Sequence, residues 1–203
     1  MSPYDAILFD FDGVLVDSEP IHYNCWCKQL APLGISLDWD SYQRNCIGVA
    51  DRQLLEFYAK LGGGAVSLDT LRDAYARKKL LFRQRMQAES PFLPQTLAAV
   101  KSLSNSKIAV VTSSGRFEVE PVLRKAGVLP LLGALVCGED VQRHKPDPEP
   151  YLTAARQLGA ITPLVFEDSA AGIASARAAG FEVVVVNAPN EVAGLLKAKL
   201  GLA

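Results

Sequence analysis

The stretch DAILFDFDGVLVDSEP, residues 5–20, ends a strand-like apolar run in two aspartates one residue apart, Asp10 and Asp12, followed by a glycine. Like charges at the mouth of an apolar segment repel, so something nearby must offset them. Four further β-like runs follow: KIAVVTSS (107–114), GALVCGED (133–140), PLVFEDS (163–169) and EVVVVN (182–187). A helical pattern follows each of them, as in RFEVEPVLRKAGV or AAGIASARAAGF. Continuous apolar runs alternating with helices predict an α/β fold with a parallel sheet covered on both faces. Gly127, Gly159 and Gly180 stand where these helices should stop.

Between the first and second runs the chain is far too long for one crossover. Residues 17–88 read as helix, interrupted by the loop GGGAV (62–66), and should form a small bundle of their own. The expected division is 1–16 with 89–203 as the α/β core and 17–88 as a helical cap, hinged near 14–18 and 86–93. Trp26, Trp39 and Tyr42 read as bundle core. Asp17 with Ser18 reads as an N-terminal helix cap, Ser114 as another, and Asp147 as the start of a helix.

Composition narrows the function. The formal net charge of −1 provides no field that would attract nucleic acid or an anionic membrane. No apolar stretch approaches the ~18 residues of a membrane span, and MSPYDAILFDFDG lacks the pattern of a signal peptide. The chain therefore reads as cytoplasmic. Cys25, Cys27, Cys46 and Cys137 lack paired spacing and have only His22 and His144 beside them, so they read as reduced structural thiols and not a zinc site.

Ligands of parallel α/β sheets bind beyond the carboxyl ends of the strands, and the unusual polar residues fall there. The first run ends in Asp10 and Asp12, the second in Thr112, Ser113 and Ser114, and the fourth in Glu167 and Asp168; Lys145 lies in the loop after the third. Four carboxylates in one crevice are untenable without a cation or strong pKa shifts, and an all-oxygen site suits Mg2+. Lys145 adds positive charge, and hydroxyls with N–H groups before a helix form a phosphate cradle. This set describes phosphoryl transfer. One aspartate can attack phosphorus while the other moves protons.

The motifs DFDGVLVDS, VVTSS, HKPDP and VFEDSAAGIASARAAG, in this order, resemble the four motifs of the haloacid dehalogenase (HAD) superfamily, and the helical insertion resembles its first (C1) cap type. The resemblance spans essentially the whole chain and implies a Rossmannoid core. It implies Asp10 as nucleophile and Asp12 as acid–base, with the Asp12 backbone carbonyl reaching Mg2+. Thr112, the Ser113 N–H and Lys145 would bind phosphate, and Asp168 would join Asp10 at the metal as its main acidic ligand, with Glu167 either a ligand or a support behind one. Dehalogenases of this family lack an acid at the Asp12 position, so its presence argues for phosphate chemistry.

DGVLVDSEPIHYNCW resembles the β-phosphoglucomutase-like branch, which also contains sugar-phosphate phosphatases. His22 matches a hinge histidine, and Lys78 a cap lysine. Where the mutase carries Gly-Val-Ser-Arg, this chain has Ala50 and Asp51, with Arg52 one residue late. A helix turns ~100° per residue, so the departure weakens a second phosphate site. The expectation is a Mg2+-dependent phosphohydrolase of a small phosphorylated metabolite, a sugar phosphate above others, in a monomer or weak dimer. A phosphomutase is the alternative, and a non-catalytic HAD-like binding protein the remote one.

Overall fold

The structure is a computed structural model that describes residues 3–47, 51–89, 91–103 and 105–201. The chain runs β1 (Ala6–Phe9), α1 (Glu19–Leu30), α2 (Trp39–Asn45), α3 (Asp51–Leu61), α4 (Leu68–Ala88), α5 (Pro94–Ser102), β2 (Ile108–Val111), α6 (Arg116–Ala126), β3 (Ala134–Val136), α7 (Glu149–Leu158), β4 (Pro163–Glu167), α8 (Ala170–Ala178), β5 (Glu182–Val185) and α9 (Val192–Leu200). It divides into two compact units, Met1–Asp17 with Ser90–Ala203, and Ser18–Glu89.

In the first unit the five strands are all parallel, in the order β3-β2-β1-β4-β5. The three central strands are buried at every residue, as continuous apolar runs require when helices cover both faces. Leu8, Ala109, Val111, Val136 and Val165 pack on one face with Tyr151 and Ala154 of α7 and Ala176 of α8. Phe9 and Phe166, their rings 5.2 Å apart, belong to the alternate set. The edge strand β5 is only partly buried, with Glu182 and Val185 exposed, so the last apolar run covers an edge and not a core strand. Gly127 and Gly159 close α6 and α7 in the left-handed conformation, and Gly180 (φ 82°) follows Ala179, the C-cap of α8.

The second unit has its own core. Trp26 and Tyr42 are buried in it and Trp39 packs against it; Trp26 stacks on Tyr75 with centroids 5.5 Å apart. Asp38 and Ser67 cap α2 and α4, accepting from the N–H groups of Ser41 and Thr70. Residues 48–50, which carry most of the Gly-Val-Ala-Asp comparison, lie outside the described residues, as does residue 90 of the second hinge. All four cysteines are unbridged, and burial pushes Cys137 up to about 12.

Two capping expectations are corrected. Ser18 occupies the N-cap position of α1 with helical backbone and no side-chain capping bond. A capping side chain accepts from N2 or N3 out of an extended backbone, whereas here N2 is Pro20, without an N–H, and the Ser18 backbone is helical. At α6 the N-cap is Gly115, and the Glu139 carboxylate takes the Arg116 N–H at 2.8 Å. Ser114 is thereby released from that duty. Asp147 does lead into α7, its Oδ1 accepting from the Glu149 N–H at 2.9 Å.

Candidate active site

Register builds the site. Phe9 pairs with Phe166, so Asp10 and Glu167 emerge next to one another at the carboxyl ends of β1 and β4. Both continue the parity of Leu8 and Val165, the face that α7 covers. Lys145, from the loop before α7, places its ammonium between them. Its Nζ donates to Asp10 Oδ1 at 2.5 Å, to Glu167 Oε1 at 2.6 Å and to the Val111 carbonyl at 3.0 Å. All three ammonium protons are thus directed, and one of them reaches the end of β2.

Beyond Asp10 the chain leaves the ladder. Leu15 and Val16 donate to the Phe11 carbonyl and Gly13 to the Val16 carbonyl, curling residues 11–16 into a tight loop. Gly13 has φ +76°, and a Cβ there would lie 2.0 Å from Asp168 Oδ2. The loop can therefore meet the acidic end of β4 only with glycine at this position. Asp12 turns towards the end of β2, where the Ser114 hydroxyl donates to its Oδ2 at 2.9 Å. Strict alternation would direct Asp10 and Asp12 alike; in the structure they have separate partners. Thr112 is buried, and its Oγ1 accepts the Ser114 N–H at 3.0 Å, while Ser113 is exposed.

Asp10, Glu167 and Asp168 form the acidic group, with ligand oxygens within 4.8 Å of one another. Glu167, fully buried, has both oxygens occupied. Oε1 takes Lys145 and the Tyr151 hydroxyl (2.9 Å); Oε2 takes the N–H groups of Asp168 and Ser169 and the Ser169 hydroxyl, each at 3.0 Å. Glu167 therefore holds the Asp168 loop in place through Oε2 while remaining within ligand distance of the other two carboxylates. Asp10 and Asp168 supply the other ligand oxygens of the group. Three carboxylates against one ammonium leave two negative charges when all are ionised. A hard divalent cation fits that balance.

Burial first, with the charges of Glu167 and Asp12 adding and Lys145 opposing, pushes Asp10 up to about 8. Burial and the Glu167 charge likewise push Asp168 up to about 6. Burial works against the charge on Lys145, but Asp10 and Glu167 outweigh it and raise Lys145 above its ordinary value. Burial foremost holds Tyr151 well above the usual phenol range, so it remains a donor to Glu167.

Sequence reasoning missed Tyr151, Ser169 and Gly172, and it placed Ser114 in a cap and the phosphate cradle but not on Asp12. The S-x-x-G start of α8 was the available sign, since Ser169 caps it by accepting the Gly172 N–H at 3.0 Å. Gly172 packs directly on Glu167, and a Cβ there would lie 1.6 Å from Oε1. Gly172→Ala is expected to lower stability by about 1–3 kcal/mol, read as a drop in melting temperature; an unchanged melting point would refute this packing.

The remaining candidates lie in the helical unit. His22 stacks on Phe82, centroids 3.8 Å apart, and its Nδ1 bonds Lys78 Nζ. Burial first, then the Lys78 charge, pulls His22 down to about 3, leaving it neutral. Lys78 is buried, its Nζ 5.6 Å from the centre of the Trp26 ring. Arg52 is exposed and pairs with Glu56 at 3.0 Å, one turn along α3.

A family model of haloacid dehalogenase-like hydrolases matches residues 7–186. The chain belongs to this family. This HAD hydrolase is 31% identical over 199 residues to a phosphorylated carbohydrates phosphatase of Thermotoga maritima, covering 96% of the chain and 91% of the relative. It is 30% identical over 187 residues to a fructose-1-phosphate phosphatase of Escherichia coli, covering 90% and 96%. A HAD-superfamily hydrolase structure from Geobacter sulfurreducens shares the fold, with TM-score 0.77 at 21% identity over 96% and 97% of the two chains. Among the described residues no helix is long and apolar enough to cross a membrane.

Proposed function

We propose that this HAD hydrolase is a Mg2+-dependent phosphatase of a small phosphorylated carbohydrate, working through an aspartyl phosphate on Asp10. The observation that carries the reading is the separation of the two aspartates: Lys145 holds Asp10, and Ser114 holds Asp12. Asp10 attacks phosphorus as the P–O bond to the sugar breaks, and the departing oxygen takes a proton from Asp12. Water then gives its proton to Asp12 as its oxygen bonds phosphorus. The P–O bond to Asp10 breaks, its electron pair returns to the carboxylate, and inorganic phosphate leaves.

The Thr112 hydroxyl accepts from Ser114 and so has its own proton to donate to a phosphoryl oxygen; the Ser113 N–H joins it. Lys145 offsets charge on Asp10 and the phosphoryl group. Asp10, Asp168 and the Asp12 carbonyl would hold Mg2+, which when bound neutralises charge on the phosphoryl oxygens. Substrate choice belongs to the helical unit, with His22, Arg52 and Lys78 as candidate contacts.

Phosphate release from a panel of phosphorylated carbohydrates tests the reading: release is expected with Mg2+ and loss of it with EDTA. Full turnover in EDTA would remove the metal. Glucose 6-phosphate forming from β-glucose 1-phosphate faster than free phosphate would replace the phosphatase by a mutase.

A second check needs no substrate. Asp10 and Asp168 titrate above their unfolded value of ~4, so folding favours their protonated forms. That contribution is complete below the unfolded value and is lost as pH rises through about 6 and then about 8. Lys145, raised from an already alkaline value, stays charged in this window. The metal-free protein should therefore melt lower at pH 8 than at pH 5.5. Mg2+ needs ionised ligands, so its stabilisation should be larger at pH 8. A larger Mg2+ shift at pH 5.5 would refute the assignment of these ligands.

A further inference from the structure

The Ser114 hydroxyl is used neither by the helix it precedes nor by the phosphate cradle assigned to Thr112 and Ser113. Glu139 satisfies the first N–H of α6, and Ser114 Oγ points to Asp12 Oδ2 at 2.9 Å. The serine is held from both sides. Its N–H goes to Thr112 Oγ1 at 3.0 Å, and its carbonyl accepts from the Gly138 N–H at 3.1 Å. Gly138 packs closely on this segment, since a Cβ there would lie 2.7 Å from the Ser113 carbonyl oxygen. The donor aimed at Asp12 therefore sits on a clamped segment, whereas Asp12 lies in a loop beyond its strand.

We propose that Ser114 is a positioning residue that fixes the carboxyl of Asp12 for proton transfer, an inference that rests on the phosphatase reading. A hydroxyl suits the task because Asp12 alternates between acid and carboxylate during turnover. The Ser114 O–H donates to Oδ2 in both states, and Oδ1 exchanges the proton. In the first half-reaction the P–O bond breaks, its electron pair goes to the leaving oxygen, and that oxygen takes the proton from Asp12 Oδ1. A sugar alkoxide needs this proton, whereas a dinitrophenolate leaves as a stable anion without it.

The test compares kcat/KM of the full chain with Mg2+ for a hexose phosphate and for 2,4-dinitrophenyl phosphate. Both report steps up to formation of the phosphoenzyme. Ser114→Ala should lower the alkyl-to-aryl ratio about tenfold or more, part of the usual general-acid contribution. Ser114→Thr, which keeps the hydroxyl, should restore the ratio. Should the alanine variant fail to fold, Ser114→Cys, with its weak donor, reads the same ratio. Equal losses on both esters, or no rescue by threonine, would overturn the positioning role. Parent protein inactive on both esters would overturn the phosphatase reading itself, a distinguishable result.

Discussion

Asp10→Asn should abolish phosphate release from every substrate, by at least about a thousandfold, as removal of a covalent nucleophile does elsewhere. The carboxamide keeps the shape of the side chain but is not a nucleophile towards phosphorus. The fold should survive. Asp10 is the carboxyl that burial pushes up to about 8, so a neutral group at this position relieves a repulsion with Glu167 and Asp12. Lys145 retains Glu167 and the Val111 carbonyl as partners. The variant should thus melt close to the parent yet fail to form a phosphoenzyme. A tenth of the parent activity in this variant would remove Asp10 as the nucleophile.

Lys145→Met should give the largest loss of stability among the site variants. The lysine side chain is 5% exposed and serves two carboxylates, one of them completely buried. Removing one partner of a buried ion pair costs about 3–5 kcal/mol, because the other charge is left uncompensated. For a chain of this length that is a fall in melting temperature of about 10 °C. The deficit should shrink towards pH 5, where Asp10 takes up a proton. Adding Glu167→Gln should recover part of it. The amide oxygen can still accept from Asp168 and Ser169, and the amide N–H groups can face the Tyr151 oxygen. A Lys145→Met protein that melts with the parent in metal-free buffer would show that the ammonium does not hold the two acids together.

Much of this was legible in the residues themselves. Apolar runs of four or five residues announced the strands because burial on both faces leaves no alternation to blur them. Gly127 and Gly159 marked helix ends because a left-handed terminus favours glycine. Asp10, Thr112, Lys145, Glu167 and Asp168 were legible because each lies at or beyond a strand end, and strand ends in a parallel sheet converge. The two misread caps, at Ser18 and Ser114, show the limit of local rules. Position relative to a helix predicts a cap, but at Ser18 a helical backbone with Pro20 at N2 left no capping bond, and at α6 Glu139 supplied the acceptor.

The sequence by itself determined the element order, the parallel sheet with its helical insertion, and the inventory of acids, hydroxyls and one lysine. Local patterning and the chemistry of side-chain types suffice for that. Only the tertiary structure decided how the inventory is divided: Lys145 on Asp10, Ser114 on Asp12, and Glu167 enclosed by Tyr151, Ser169 and Gly172. The first two links join residues 135 and 102 positions apart. They exist because the order β3-β2-β1-β4-β5 sets β1 between β2 and β4. No local rule reports which side chains meet across such a sheet. Two like charges at the end of the first strand are tolerated because the fold gives each its own partner.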